Sequence, residues 1–239
     1  MKKSLSYLTI SLLISFYSVA QNREIPIDTI VVTNHSTTIK GKNISYQAQT
    51  GTQPVWGEKD NAIATLFYTY YRRTDIKKGI VRPLIFSFNG GPGAGSLWMH
   101  MGYTGPRILK VDSEGYPIQP YGFKSNPNSI LDEADIVFVN PVNVGYSRII
   151  DSKGKKEDRE TFFGVNQDIK YLAEWISTFI SRKNRWDSPK YLIGESYGGV
   201  RVMGLAHELQ DKQWIYLNGV IMVSPADYQV YPGPVSSAI

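Results

Sequence analysis

Cysteine is absent from the 239 residues, and histidine occurs only three times, at His35, His100 and His207. The lack of cysteine excludes a disulfide scaffold, a cysteine nucleophile, an iron–sulfur cluster and a thiolate zinc site. We predict no metal and no cofactor. Because histidine is the usual general base for an activated serine, the chain also has few candidates for that role.

Low-complexity stretches and long runs of one charge are missing as well. Hydrophobic residues make up 42% of the chain and charged residues 20%. This composition excludes a disordered, collagen-like or coiled-coil chain, since it provides ample apolar surface to bury. The formal net charge is +5, but the basic residues form small groups with acidic residues among or beside most of them. We therefore predict no nucleic-acid partner.

The first 20 residues have the pattern of a secretory signal peptide. Two lysines precede an apolar stretch from Leu5 to Val19, and Ser18 and Ala20 are the small residues that a signal peptidase recognises. The stretch is short for a bilayer span of about 20 residues, so we expect no stable membrane anchor. The expectation is cleavage after Ala20 and export to the periplasm or the extracellular space.

Residues 21–239 predict one α/β domain that begins with antiparallel strands. Segments rich in β-branched and aromatic residues, with turns at Gly51, Pro54 and Gly57, lie at Thr29–Val32, Lys42–Ala48 and Ala62–Tyr70. Four nearly continuous apolar runs follow, at Pro83–Phe88, Asp135–Val139, Tyr191–Ile193 and Gly219–Val223. Such runs are typical of parallel strands that are buried on both faces.

Helices are predicted between these runs. Phe162–Arg182 carries apolar residues at spacings of three and four, and Val200–Asp211 forms a second helix. The charged segment Asp151–Glu160 is predicted to be an exposed loop. Alternating strands and helices favour a mostly parallel central sheet with helices on its faces.

The strongest catalytic signal is the segment Gly194–Gly199, with the sequence GESYGG. It follows a short strand and opens a helix, which is the context of a G-x-S-x-G nucleophile elbow. The backbone N–H groups of Ser196 and Tyr197 would lie at the helix N-terminus, where the peptide dipoles favour an oxyanion. An ordinary glycine-rich turn is the alternative.

A second glycine-rich segment, Asn89–Gly93, ends an earlier strand of the same predicted sheet. In α/β-hydrolases a loop at this place supplies the second oxyanion donor, because glycines let the backbone approach the substrate. A plain loop or a phosphate-binding loop is the alternative. The phosphate-binding alternative is disfavoured, because the glycine spacing matches neither a P-loop nor a dinucleotide fingerprint.

Three motifs in this order resemble those of the serine carboxypeptidases, the S10 peptidase family. Residues 89–96, with Gly105-Pro106, resemble N-G-G-P-G-x-S-S…G-P, and residues 140–147 resemble an altered D-x-P-x-G-x-G-F/Y-S. Residues 194–199 match G-E-S-Y-A/G-G closely. The resemblance covers most of the mature chain but only the front half of a typical member. It implies an α/β-hydrolase fold whose C-terminal part is missing.

The resemblance also implies roles for individual residues. Ser196 would be the nucleophile of a secreted enzyme that removes C-terminal residues from peptides through an acyl-enzyme. The backbone N–H groups of Gly91 and Tyr197 would form the oxyanion hole. The residues implied to bind the substrate, chiefly its terminal carboxylate, are Asn89, Gly90 and Glu195.

Two departures from the family pattern fall on this carboxylate-binding apparatus. Ser87 stands where members usually have tryptophan, and Tyr103 stands where a second glutamate would partner Glu195. An esterase or acyltransferase on the same fold is therefore an alternative, and a non-catalytic peptide-binding paralogue is another. The sequence indicates nothing about the oligomeric state.

The expected general base is also missing. In this fold the triad runs in the order Ser, acid, His, and His207 is the only histidine after Ser196. It follows by eleven residues in the same predicted helix, about 16 Å along the axis, which is too far to reach the hydroxyl. His35 is predicted to lie on the surface, while His100 could line the cleft. We expect either the N-terminal part of a longer hydrolase or a shortened, inactive paralogue.

Overall fold

An eight-stranded mixed sheet flanked by helices organises the chain in a computed structural model that describes residues 26–150 and 155–226. The strands are β1 (Thr29–Ile39), β2 (Lys42–Trp56), β3 (Ala62–Arg73), β4 (Leu84–Phe88), β5 (Arg107–Leu109), β6 (Phe123–Ser125), β7 (Asp135–Val139), β8 (Arg148–Ile149), β9 (Lys190–Glu195) and β10 (Gly219–Val223). The α-helices are α1 (Lys155–Phe162), α2 (Val165–Arg182) and α3 (Tyr197–Lys212). A π-helix spans Trp98–Thr104 and a 3₁₀ helix spans Ile130–Asp132.

The strand order in the main sheet is β1-β2-β3-β7-β4-β9-β10, with β8 also paired to β3. The strands β1, β2, β3 and β7 pair antiparallel in succession, whereas β7, β4, β9 and β10 run parallel. This confirms the predicted α/β arrangement. Because β4 and β9 are neighbours, the loops that follow them leave the same edge of the sheet side by side.

Two apolar cores cover the two faces of the sheet. One joins α2 and α3 to the sheet around Trp175 and Phe179, and the other surrounds Ile136 and Phe138 on the opposite face. Every residue of β4 and β7 is buried, as the apolar runs predict. None of the helices in residues 26–150 and 155–226 is long and apolar enough to cross a membrane. The predicted signal peptide, residues 1–20, lies outside the described residues.

The prediction that Gly219–Val223 is buried on both faces is wrong for the described part of the chain. The side chains of Val220, Ile221 and Met222 are 36–47% exposed. This strand, β10, is the last of the sheet and pairs only with β9 among the described strands. An apolar run therefore identifies the strand but does not show whether other elements pack on both of its faces.

Two of the predicted turns lie inside β2 instead. An added Cβ at Gly51 would lie 1.9 Å from the Thr29 carbonyl oxygen, so this glycine permits the close approach of β1. Pro54 lies beyond Thr52, the last β2 residue paired with β1, where β2 is an edge and tolerates proline. Only Gly57 begins a turn, accepting from the Asp60 N–H.

The predicted boundaries of the first helix are also wrong. Residues 155–162 form α1, although residues 155–160 were predicted to be loop, because lysine, arginine and glutamate are good helix formers even without an apolar stripe. Residues 151–154 of that predicted loop lie outside the described part. Gly164 then interrupts the helix with φ 124°, and α2 begins at Val165.

Candidate active site

Ser196 lies in the tight turn between β9 and α3. Its backbone has φ 57° and ψ −122°, a conformation that residues other than glycine rarely adopt. An added Cβ at Gly194 would lie 2.0 Å from the Gly198 carbonyl oxygen, and one at Gly198 would lie 2.8 Å from that of Phe88. Glycine at 194 therefore lets the turn close, and glycine at 198 lets the end of β4 approach it. This is the strand–turn–helix geometry that the sequence predicts.

The glycine loop after β4 packs directly against this turn. An added Cβ at Gly90 would lie 2.7 Å from Tyr197 N and 2.8 Å from Ser196 Cβ. Gly91 has φ 110°, and its N–H has no hydrogen-bond partner among residues 26–150 and 155–226. The Ser196 N–H donates to the Val223 carbonyl at 3.0 Å, so it is not the available donor that the helix position suggested. The predicted donors, Gly91 and Tyr197, lie on the two adjoining segments.

Two of the predicted substrate-binding residues contact each other. Asn89 Nδ2 donates to Glu195 Oε2 at 3.0 Å, and the Met99 N–H donates to Asn89 Oδ1 at 3.0 Å. Asn89 is buried, whereas Glu195 is half-buried. The Asn89 amide is therefore fixed on both sides and holds the Glu195 carboxyl group, which lies next to Ser196 in the chain.

The two departures from the family pattern leave this pair without further support. Ser87 is buried in β4 between Phe138 of β7 and Ile193 of β9. Its hydroxyl has no hydrogen-bond partner in the described part of the chain. Tyr103 is 59% exposed at the end of the π-helix and brings no carboxyl group.

Replacing Ser87 with alanine is expected to raise the free energy of unfolding by about 1 kcal/mol, since it removes a buried hydroxyl that is not hydrogen-bonded. Urea unfolding measures this change. Ser96 provides a matched control, because its buried hydroxyl donates to the Val139 carbonyl at 2.6 Å. Ser96→Ala should lower the free energy of unfolding by about 1–2 kcal/mol. Equal losses of unfolding free energy in the two variants would contradict the conclusion that the Ser87 hydroxyl has no hydrogen-bond partner.

His100 is half-buried and has structural contacts in this arrangement. Its Nε2 and the Tyr71 hydroxyl share a hydrogen bond of 2.7 Å, and its ring stacks on Phe138 at 4.3 Å between centroids. Burial lowers the pKa of His100 to about 4. The ring is thus held neutral and committed to Tyr71.

The other two histidines lie elsewhere. His35 is exposed on β1, as predicted, and His207 is exposed on α3, three turns beyond Ser196. No hydrogen bond within the described residues involves the Ser196 hydroxyl. In the described part of the chain, no histidine is hydrogen-bonded to the predicted nucleophile, Ser196.

A cavity of about 330 Å³ opens beside the glycine loop. Its lining is mostly apolar and includes Pro92, Val142, Phe162, Phe163 and Tyr197, together with an ion pair between Asp168 and Arg201. The motifs did not point to this ion pair. The sequence signal for the pair is that each charged residue shares a helix face with a buried residue. Arg201 lies four residues after Tyr197, and Asp168 lies four residues before Leu172.

The mixed sheet, the serine turn after β9 and the glycine loop after β4 define an α/β-hydrolase. The sequence profile of the serine carboxypeptidases matches residues 42–227, and the chain belongs to the serine carboxypeptidase family.

Among its relatives is serine carboxypeptidase-like 36 of Arabidopsis thaliana, 32% identical over 171 residues, which are 70% of this chain and 33% of the relative. Serine carboxypeptidase-like 37 is 29% identical over 192 residues, 77% of this chain and 36% of the relative. The structure of Kex1, a prohormone-processing carboxypeptidase from Saccharomyces cerevisiae, superposes with TM-score 0.56 at 22% identity. The superposition covers 74% of this chain and 38% of Kex1, and supports the fold. The chain spans about a third of the length of these curated relatives.

Proposed function

We propose that this chain carries the nucleophile and the oxyanion hole of an exported serine hydrolase of the carboxypeptidase type. The observation that supports the proposal is the packing of Gly90, the residue before Gly91, against the strained Ser196 turn. Membership of the serine carboxypeptidase family supports it. Export is proposed from the signal pattern of residues 1–20.

In the proposed reaction the Ser196 hydroxyl oxygen adds to the carbonyl carbon of the last peptide bond, and its proton passes to a general base. The carbonyl oxygen becomes an oxyanion that accepts from the N–H groups of Gly91 and Tyr197. The base then protonates the leaving amine, and the C-terminal amino acid departs. Water hydrolyses the resulting acyl ester and restores the serine.

The general base of this reaction is proposed to come from residues outside this sequence. All three histidines of the chain lie in its described part, and none bonds to Ser196. A serine without a base is a weak nucleophile at neutral pH. The chain alone should therefore hold the oxyanion hole in place and react slowly.

Asn89 and Glu195 are proposed to bind the terminal carboxylate of a peptide substrate, and the adjacent cavity to accept an apolar side chain. Carboxylate binding requires a shared proton or a neutral partner, because two carboxylates repel each other. Tyr103 brings no second acid to this task. This observation makes an esterase or acyltransferase the second candidate.

A fluorophosphonate probe tests the proposal on the 239-residue chain. We expect labelling of Ser196 to be slow and to rise about tenfold or more in concentrated imidazole, because the added base takes the hydroxyl proton. Ser196→Ala should abolish the labelling, whereas Ser181→Ala, an exposed serine of α2, should leave it unchanged. Mass spectrometry of the labelled peptide measures both.

Three results would overturn parts of the proposal. Labelling that persists in Ser196→Ala would exclude this nucleophile, and no labelling even with imidazole would favour a non-catalytic paralogue. Rapid, stoichiometric labelling without imidazole would contradict the proposal that the chain lacks the general base.

The same assay separates the two candidate activities. An N-blocked dipeptide should slow the labelling more than its C-terminal amide does. Equal protection would favour the esterase or acyltransferase.

A further inference from the structure

Arg201 links the nucleophile helix to the glycine loop. From α3 its Nη1 donates to the Asn89 carbonyl at 2.9 Å and its Nη2 donates to the Pro92 carbonyl at 3.0 Å. These two carbonyls bracket Gly90 and Gly91. A single planar side chain of 1% exposure therefore holds the loop at both ends.

The same guanidinium group also contacts the nucleophile turn. Its central carbon lies 5.1 Å from the centroid of the Tyr197 ring and 5.8 Å from that of Phe88, the residue that precedes the loop. Tyr197 carries the other proposed oxyanion donor. Arg201 thus contacts the glycine loop through two backbone carbonyls and the other proposed donor residue through the Tyr197 ring.

Asp168 on α2 fixes the orientation of Arg201. Its Oδ2 accepts from Arg201 Nε at 2.6 Å, and its Oδ1 accepts from the Tyr171 hydroxyl at 2.8 Å. The Tyr171 oxygen in turn accepts from the Val142 N–H at 3.1 Å. Burial raises the pKa of Tyr171 well above its usual value, so the phenol keeps the proton that it donates. The chain of contacts ties the loop after β7 to the same arginine.

We propose that Arg201 is a positioning residue that sets the place of the Gly91 N–H relative to Ser196. The inference rests on the proposed function, because it treats Gly91 as an oxyanion donor. Arg201 touches no reacting atom itself and acts through the backbone of the loop. A donor must lie within a few tenths of an ångström of its working distance, so loss of this clamp weakens oxyanion binding.

A merely stabilising role for the ion pair makes a different prediction. An ion pair between α2 and α3 needs only the Nε–carboxylate contact, whereas two of the three arginine contacts go to loop carbonyls. Lysine at this position keeps the charge beside Asp168 but is a point donor that cannot span both carbonyls. Arg201→Lys therefore removes the hydrogen bonds to the loop carbonyls while it keeps the charge pair with Asp168.

Two measurements follow the loop in Arg201→Lys. Hydrogen exchange reports on the Ala94 amide, which donates to the Gly90 carbonyl at 3.1 Å and closes the loop. We expect its exchange to accelerate about tenfold or more, because the loop opens locally. Imidazole-supported labelling of Ser196 should fall about 10- to 100-fold, as expected for a misplaced oxyanion donor.

Arg185→Lys is the matched control. Arg185 is also an arginine that pairs with a buried aspartate, Asp135, and its side chain is 12% exposed, but it lies at the other end of the sheet. This variant should lower the overall stability and change neither loop exchange nor Ser196 labelling by more than about twofold. If Arg201→Lys does not fold, Tyr171→Phe removes only the hydroxyl behind Asp168 and should accelerate Ala94 exchange about threefold.

Unchanged Ala94 exchange in folded Arg201→Lys would overturn the inference, as would an equal acceleration in Arg185→Lys. Accelerated exchange with unchanged labelling would also overturn it, since the loop would then not control the oxyanion hole. If the unmutated chain shows no Ser196-dependent labelling, the proposed function fails. In that case the exchange of Ala94 still decides whether Arg201 holds the loop.

Discussion

Asp135→Ala is expected to lower the free energy of unfolding by about 3–5 kcal/mol, because it strips a buried carboxylate from two guanidinium groups whose side chains are only 10% and 12% exposed. The Asp135 side chain, at the start of β7, is only 3% exposed. Its Oδ1 accepts from Arg82 Nε at 2.9 Å, and its Oδ2 accepts from Arg185 Nη1 at 2.7 Å. Removal of the carboxylate leaves both cations desolvated and without their counter-charge.

The remaining contacts of this cluster explain why it cannot relax easily. Arg185 Nη2 donates to the Arg82 carbonyl at 2.9 Å, and Arg185 Nη1 also donates to the Tyr70 hydroxyl. Arg82 Nη2 donates to the Leu131 carbonyl at 2.7 Å. These hydrogen bonds keep the two guanidinium groups close together when the carboxylate is lost.

An exposed ion pair provides the control for Asp135→Ala. Asp28 and Arg182 form a bridge of 2.9 Å whose side chains are 47% and 43% exposed. Asp28→Ala should therefore lower the free energy of unfolding by less than about 1 kcal/mol. Chemical denaturation of both variants at neutral pH compares them, and a loss in Asp135→Ala no larger than in Asp28→Ala would refute the argument.

The central strands and the serine turn could be predicted from the sequence because their physical demands fall on consecutive residues. A strand covered on both faces is nearly continuously apolar, which marks β4 and β7. The tight turn at Ser196 excludes a Cβ at Gly194, and the approach of β4 excludes one at Gly198, so the segment carries a pair of glycines. Neighbouring strands then bring the loop at Gly90 to the same edge.

The features that escaped prediction depend on partners distant in the sequence. Arg201 and Asp168 lie 33 residues apart, and the register of each with buried positions of its own helix does not show that the two side chains pair. The exposure of Met222 depends on which element covers the sheet edge, not on the strand's own composition. Gly51 resembles a turn glycine until the approach of Thr29 is known. Composition and spacing identify elements, whereas pairing across the fold decides these details.

Mild acid is expected to destabilise the protein through His100. Its folded pKa is about 4 and its unfolded value is about 6.5, so between these values the unfolded state binds more protons. Stability is therefore unaffected by this group above about pH 7, falls as the pH drops through 6.5, and stops falling on its account below about pH 4. The loss amounts to about 2 kcal/mol between pH 7 and pH 5 and about 3 kcal/mol by pH 4.

The contacts of His100 explain why the ring resists protonation. It stacks on Phe138, its Nε2 is shared with the Tyr71 hydroxyl, and no carboxylate among the described residues hydrogen-bonds to it. His100→Gln keeps a polar group within reach of Tyr71 but does not titrate, so the difference in unfolding free energy between pH 7 and pH 5 should shrink by about 2 kcal/mol. The exposed His207, replaced by glutamine, should leave that difference unchanged. Urea unfolding at pH 7 and pH 5 measures this difference. A pH dependence that is identical in His100→Gln and the unmutated chain would show that burial of this ring is not the source of the acid sensitivity.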